Sequence, residues 1–189
     1  TPERKYGSKT SLKSYRVLHE TGLGHKVFIM NISDKIEKIV AEQYGYTWQP
    51  ARKNIGDFYI SDQEAVNVKS SNVDKNNFAP NMVSAMKVYD YLMSGNLLYF
   101  IFVDYKLSKN NDIDILSISD LIPINYIDWS CLKIQTQGNG VIQMTHKNFH
   151  YNPQSEESWI DGLKNAYKTY IEREREKMCR LEKSLGLKK

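Results

Sequence analysis

Three side chains within Ile55 to Lys69, reading IGDFYISDQEAVNVK, could do chemistry together: the Asp57 carboxylate, the Asn67 amide oxygen and the Lys69 ammonium. Asp57-Phe58-Tyr59-Ile60 and Glu64-Ala65-Val66-Asn67-Val68-Lys69 read as two short extended runs around a polar corner, Ser61-Asp62-Gln63. Side chains alternate along a strand, so Asn67 and Lys69 share one face while Val66 and Val68 share the other. The valines can anchor a core while the polar pair stands in a cleft, and a hairpin can bring Asp57 beside that pair. An acid, an oxygen donor and a lysine at one point suit metal-dependent cleavage of a phosphodiester. Mg2+ prefers oxygen ligands and keeps several waters. Cation and lysine together stabilise charge on the phosphate and help activate the attacking water. The same spacing also fits an ordinary amphipathic hairpin.

The elements that must position these groups can be read along the chain. Residues 1–25 are polar and glycine-containing and suggest an N-terminal arm. Asn31 to Tyr44 reads as a helix, with Ser33 or Asp34 as cap, an apolar stripe of Ile36, Ile39 and Val40, and Gly45 as its stop. Glu37 projects beside that stripe, either as a surface charge or as a further acid. Tyr46 to Ile60 leads into a sheet and Ala65 to Ser70 continues it. A polar turn over 72–77 and Phe78-Ala79-Pro80-Asn81 lead to a helix expected over Met82 to Met93. Leu97 to Tyr105 (LLYFIFVDY) is short, nearly continuously apolar and rich in β-formers, as a central buried strand would be. Ile113 to Ile118 is another strand. Leu132 to Gln137 (LKIQTQ) alternates, Gly138-Asn139-Gly140 turns, and Val141 to Met144 can return. Ser155 to Leu185 reads as a long helix with an apolar stripe from Trp159 to Leu181 and a densely charged opposite face. The order of elements predicts one α/β or α+β domain over 1–189, built on a mixed sheet flanked by helices.

Composition agrees with a folded chain: 41% of the 189 residues are hydrophobic and 25% charged. No apolar run approaches membrane-spanning length, and no signal peptide is visible. Cys131 and Cys179 are far apart and without metal-ligand spacing, which fits free thiols in a reducing cytoplasm. The net charge of +4 is unevenly spread: residues 1–40 carry 8 basic and 4 acidic groups, residues 164–189 carry 9 and 4, and the middle carries 9 and 14. Basic ends around an acidic centre would suit a protein that holds a polyanion while placing carboxylates near the bond it cleaves. Solvated helix faces would produce the same distribution.

Several blocks, in order, resemble type II restriction endonucleases of the EcoRV and HincII group. They are Ile36-Glu37-Lys38-Ile39-Val40 with Gly45-Tyr46, Gly56-Asp57-Phe58, Asn67-Val68-Lys69 at the family's Asp-x-Lys position, Ala79-Pro80-Asn81, Ile127-Asp128-Trp129 with Ile134-Gln135, and Trp159 at the head of the last helix. The resemblance covers roughly residues 22–185. It implies a restriction-endonuclease-like mixed sheet, Mg2+ as cofactor and a bacterial cytoplasmic homodimer that cuts duplex DNA at a short palindrome. It also implies a cognate DNA methyltransferase in the same system. Asp57 and Asn67 would then hold the metal and Lys69 would assist the attack. One departure matters: Asn67 stands where the family has a second metal-binding Asp. Either an Asp has been substituted to trap uncleaved DNA, or the site draws on another carboxylate, with Glu37 or Asp62 as candidates.

The resemblance implies two DNA-contacting regions. In the first, Phe78 matches an intercalating side chain, which would unstack a base step, and Asn81 would contact bases or backbone nearby. Phe78 could equally pack under its own loop, and Asn81 could cap a helix. The second region is Lys133 to Gln143, where Lys133, Gln135, Gln137, Asn139 and Gln143 are expected at the DNA. Asn and Gln can each pair bidentately with adenine. His146 and His150 have no partner at metal-ligand spacing and suit phosphate contact or plain surface. Two other readings stay open: a non-catalytic DNA-binding protein on the same scaffold, for which Asn67 would be native, and an unrelated α/β protein that binds no DNA.

Overall fold

The computed structural model describes the backbone of Lys9–Thr10 and residues 31–49, 55–74, 81–109, 112–136, 140–145 and 151–187. The expected N-terminal arm, Phe78, Gln137, Asn139, His146 and His150 lie outside these residues. The chain divides into two compact units and passes between them three times: residues 1–80 and 95–124 form the first, residues 81–94 and 125–189 the second.

The first unit is a mixed sheet with a helix packed on it. Its strands are β1 (Lys9–Thr10), β2 (Phe58–Ser61), β3 (Glu64–Asn72), β5 (Leu97–Leu107), β6 (Ile113–Ser119) and β7 (Ile122–Pro123). The order is β1-β6-β5-β3-β2, with β7 pairing β5. β3 and β5 run parallel, from Glu64 opposite Leu97 to Asn72 opposite Tyr105; their neighbours are antiparallel. The apolar run is therefore the central strand its composition predicts. A parallel pair needs a long connection, and here the chain makes it through the second unit. Helix α1 (Ile32–Gln43) buries Ile36, Val40 and Ala41 against Phe58, Val66, Val68, Ile101 and Val103. Its cap is Asn31 rather than Ser33 or Asp34: the Asn31 side chain accepts from the Asp34 N–H at 2.9 Å, and the Asp34 carboxylate accepts from the Asn31 N–H at 3.3 Å. That reciprocal box satisfies two of the helix's otherwise unpaired donors. Gly45, at φ 79°, ends the helix as expected.

The second unit holds a three-stranded sheet, β4 (Asn81–Ser84), β8 (Leu132–Gln135) and β9 (Val141–Met144), in the order β4-β9-β8, with helices α2 (Ala85–Met93) and α3 (Glu156–Ser184). The expected helix thus begins three residues late. Asn81–Ser84 is a strand, because Asn81 pairs with Gln143 and Ser84 with Val141 on a strand sixty residues away. Asn81 caps no helix; Ser84 occupies the cap position of α2 without a side-chain bond. α3 starts where expected, with the Ser155 hydroxyl accepting from the Ser158 N–H. Its first turns bury Trp159, Ile160 and Leu163, and Trp159 donates through its indole to the Ile127 carbonyl at 2.9 Å.

One glycine sets the β2–β3 geometry. A Cβ on Gly56 would lie 2.9 Å from the Ala65 Cβ, 3.0 Å from the Phe58 oxygen and 3.1 Å from the Val66 oxygen. Backbone atoms cannot move aside as a side-chain tip can. Gly56→Ala is expected to cost roughly 1–3 kcal/mol, the usual range for overpacking, read as a lower urea midpoint with an unchanged slope.

Candidate active site on strands β2 and β3

Antiparallel pairing puts Phe58 opposite Val66 and Tyr59 opposite Ala65, joined by the exposed two-residue corner Asp62-Gln63. Extending that register one step puts Asp57 opposite Asn67. Asp57 is tied to β3 twice. Its N–H donates to the Val66 carbonyl at 2.7 Å, and its Oδ2 accepts from the Val68 N–H at 2.6 Å. The second bond has the short length of a charge-assisted pair. Val66 and Val68 enter the core against α1, so period-2 alternation leaves Asn67 and Lys69 on the opposite face.

Asn67 is buried, 7% exposed. Its Nδ2 donates to the Ile55 carbonyl at 3.0 Å, which fixes the orientation of the amide. Its Oδ1 is buried with no hydrogen-bond partner among the described residues. A buried, unmade acceptor costs about 1–3 kcal/mol and calls for an explanation.

Burial lowers the pKa of Lys69, against the pull of Asp57 and Glu37. Burial raises that of Asp57, against the Val68 amide and Lys69, with Asp34 adding to the rise. Glu37 rises from 4.5 to about 7, through burial first and then the nearby Asp57 charge; the indole of Trp48, donating to Oε2 at 3.3 Å, and Lys69 oppose the rise. Asp57, Lys69 and Glu37 therefore form one electrostatic cluster in the first unit. Glu37 comes to it from α1, a helix whose sequence showed only that it stood beside an apolar stripe. Asp62 does not join it, since it sits exposed at the hairpin tip. Glu64 is occupied elsewhere, accepting from the Ser61 and Tyr99 hydroxyls.

Asp34 and Trp48 are site neighbours that the sequence reading missed. Asp34 had a signal: it lies three residues before Glu37 and thus on the same helix face. Trp48 had none.

The donor set suits a hard cation. Among the described residues no three His, Cys, Asp or Glu side chains are grouped to hold a metal. Mg2+ does not need three, because one or two carboxylates, waters and substrate phosphate oxygens complete its shell. Asp57 and Glu37 supply two carboxylates, each with its charge disfavoured in the absence of a cation. The unpartnered Asn67 oxygen adds a neutral donor.

In the second unit, register brings together candidates more than fifty residues apart in sequence. Asn81 lies opposite Gln143, and Gln143 opposite Lys133. The buried pairs Leu132–Met144 and Ile134–Ile142 take one face of this sheet, leaving Asn81, Lys133, Gln135 and Gln143 on the other. Gln135 Nε2 donates to Gln143 Oε1, so these two amides satisfy part of each other's bonding.

Among solved structures the chain is similar to the NlaIV restriction endonuclease, at 14% identity and TM-score 0.46, over 85% of this chain and 73% of that one. No family model matches the sequence, and no curated protein does. Among the described residues no helix is long and apolar enough to cross a membrane.

The raised Glu37 pKa makes stability pH-dependent with a definite sign. A carboxyl that binds its proton more tightly when folded stabilises the fold fully below pH 4.5, and that stabilisation is lost as pH rises through about 7. Glu37→Gln removes the ionisation. The variant is expected to melt higher than the parent at pH 8 in metal-free buffer, with the difference shrinking toward pH 5. Mg2+ should raise the parent's melting temperature more at pH 8 than at pH 5.5, because cation and proton compete for the same carboxylate. Parallel thermal melts with and without the cation check both expectations.

Proposed function

We propose that the chain is a Mg2+-dependent nuclease that hydrolyses phosphodiester bonds of duplex DNA, in the manner of type II restriction endonucleases. The electrostatic cluster of Asp57, Lys69 and Glu37, beside an Asn67 whose buried oxygen has no partner among the described residues, is the observation that carries this reading. Asp57 and Glu37 would hold the cation, with Asn67 as a neutral third donor. Bound Mg2+ would act as a Lewis acid at the phosphate and lower the pKa of an attacking water. Asp57 is fixed for its part by the Val68 amide, so little reorganisation accompanies ligation. Lys69, its pKa lowered by burial, feels the charges of both Asp57 and Glu37. It can orient the attacking water and stabilise charge developing on the phosphate.

Glu37 supports the second account of Asn67, in which the site draws its further carboxylate from the helix and Asn67 need not replace an Asp. Asn81, Lys133, Gln135 and Gln143 are the side chains assigned to DNA contact, with Phe78, Gln137 and Asn139 as further candidates outside the described residues. A homodimer reading a short palindrome fits the twofold logic of such targets, and a methyltransferase protecting the same sequence belongs with it in a bacterial cytoplasm. A second reading, a DNA-binding protein without cleavage, is favoured by one observation: the amide at 67 brings no charge to the cation.

Plasmid cleavage with Mg2+, together with duplex binding, separates these readings across the parent, Asp57→Asn, Lys69→Met, Glu37→Gln and Asn67→Asp. The parent is expected to cut, and each of the first three variants to lose about 10²-fold or more in rate. Asn67→Asp replaces the amide donated to Ile55 with a carboxylate beside two others. It should melt lower than the parent in chelator, recover with Mg2+, and cut faster. Specific binding without cutting by parent and Asn67→Asp alike would establish the non-catalytic reading. Absence of any duplex binding would defeat both.

A further inference from the structure

The chain that leaves α1 passes both acids of the first unit's site before it reaches β2. Over residues 46–49 it is pinned at each end. The Tyr46 N–H donates to the Ala41 carbonyl at 2.9 Å, and the Tyr46 ring stacks on Phe58, with centroids 5.6 Å apart and planes inclined by 15°. The Gln49 N–H donates to the Asp57 carbonyl at 2.9 Å. Trp48 lies between these anchors, half-buried against the core that α1 shares with the sheet. Its indole N–H returns to the helix and donates to Glu37 Oε2 at 3.3 Å. One short strap thus bonds to the carboxylate of Glu37 and to the backbone of Asp57 from consecutive residues.

We propose that Trp48 is a positioning residue of the cation site: its indole holds one oxygen of Glu37 and leaves the other for the cation, while Gln49 beside it is tied to Asp57. The inference rests on the nuclease reading for the cation itself. Glu37 reaches the site on a side chain with much rotamer freedom to lose. A single directed bond removes part of that freedom before any ligand arrives. Among the described residues Glu37 Oε1 accepts no hydrogen bond, so one oxygen is held and one is open. An indole nitrogen donates and cannot accept. It therefore does not compete with Glu37 for a cation, and being neutral it does not repel one, as a lysine or arginine in its place would. The bond favours the charged carboxylate against burial and the Asp57 charge. It also strengthens when the acid is ionised, as an acid is under a cation. For packing alone a phenylalanine would serve.

Trp48→Phe keeps an aromatic ring against the core and removes the N–H. Mn2+, which takes the same oxygen ligands as Mg2+, is titrated into the full chain without DNA, and the free ion is counted by electron paramagnetic resonance. Trp48→Phe is expected to bind Mn2+ about five-fold more weakly, the worth of one hydrogen bond. Glu37→Ala should weaken binding more. Adding Trp48→Phe to Glu37→Ala should then cost nothing further, because the indole acts only through that acid. A second readout needs no change at position 48. Trp129 and Trp159 belong to the second unit, and Mg2+ should shift the indole emission of the parent but not that of Glu37→Ala. Equal Mn2+ affinity in parent and Trp48→Phe would overturn the positioning role. So would a loss that recurs in full on the Glu37→Ala background, or Mg2+ binding that leaves the parent's emission unmoved. A parent that binds no Mn2+ would defeat the cation site, and the nuclease reading with it; failure of the positioning role alone would leave that reading standing.

Discussion

The bond from the Val68 amide to the Asp57 carboxylate is the constraint on which the first unit's site depends. It joins the acid of one strand to the backbone of the next at 2.6 Å, between the two polar residues of that strand. A carboxylate left to a mobile rotamer would meet the lysine only part of the time, and a carboxylate in full solvent would exert little field. Here the acid is fixed by two bonds to one strand, and that strand is fixed by nine successive residues of parallel pairing to the central one. The valines on its other face are locked beneath α1. Asp57 cannot shift without disturbing the core that the sheet and helix share.

The same constraint explains the cost stored at the site. Two carboxylates and an ammonium are partly withdrawn from water together, and an amide oxygen is buried with no partner among the described residues. A core built only for stability would fill such a place with apolar side chains, since replacing buried charges in that way is often neutral or favourable. Retaining them makes sense where a ligand completes the arrangement. A divalent cation would offset the burial and the repulsion that raise Glu37 and could give the Asn67 oxygen a partner.

Legibility followed sequence distance. The alternation of Val66, Asn67, Val68 and Lys69 lies within four residues and has one geometric meaning, so the two faces of β3 could be read directly. The nearly continuous apolar run of β5 pointed to a central strand, and the strand stands in the middle of the sheet. Glu37 could be named as a candidate acid but not chosen over a surface charge, because its place depends on how far α1 is turned on the sheet, which Ile36, Val40 and Ala41 decide by packing. Asn81–Ser84 went wrong for the opposite reason. Its local preference merges with the helix that follows, and only pairing with β9 makes it a strand. The division into two units leaves no local trace either, since each is assembled from two separate stretches and no linker of distinctive composition joins them.

Asn67 shows how far a residue's type constrains its role when its surroundings are known. As a letter it is a lost carboxylate, and the loss alone would argue for an inert scaffold. In place, its Nδ2 is committed to the Ile55 carbonyl, so its oxygen must face away from that bond, on the side of β3 that also carries Lys69. A polar side chain needed only for the fold would be satisfied at both ends, and this one is satisfied at the end that holds the hairpin together. The other end has no partner among the described residues, and Glu37 joins Asp57 and Lys69 in one electrostatic cluster on the same unit. The amide at 67 and the acid from α1 would thus complement each other at the proposed cation site, one with a neutral oxygen and the other with a charge.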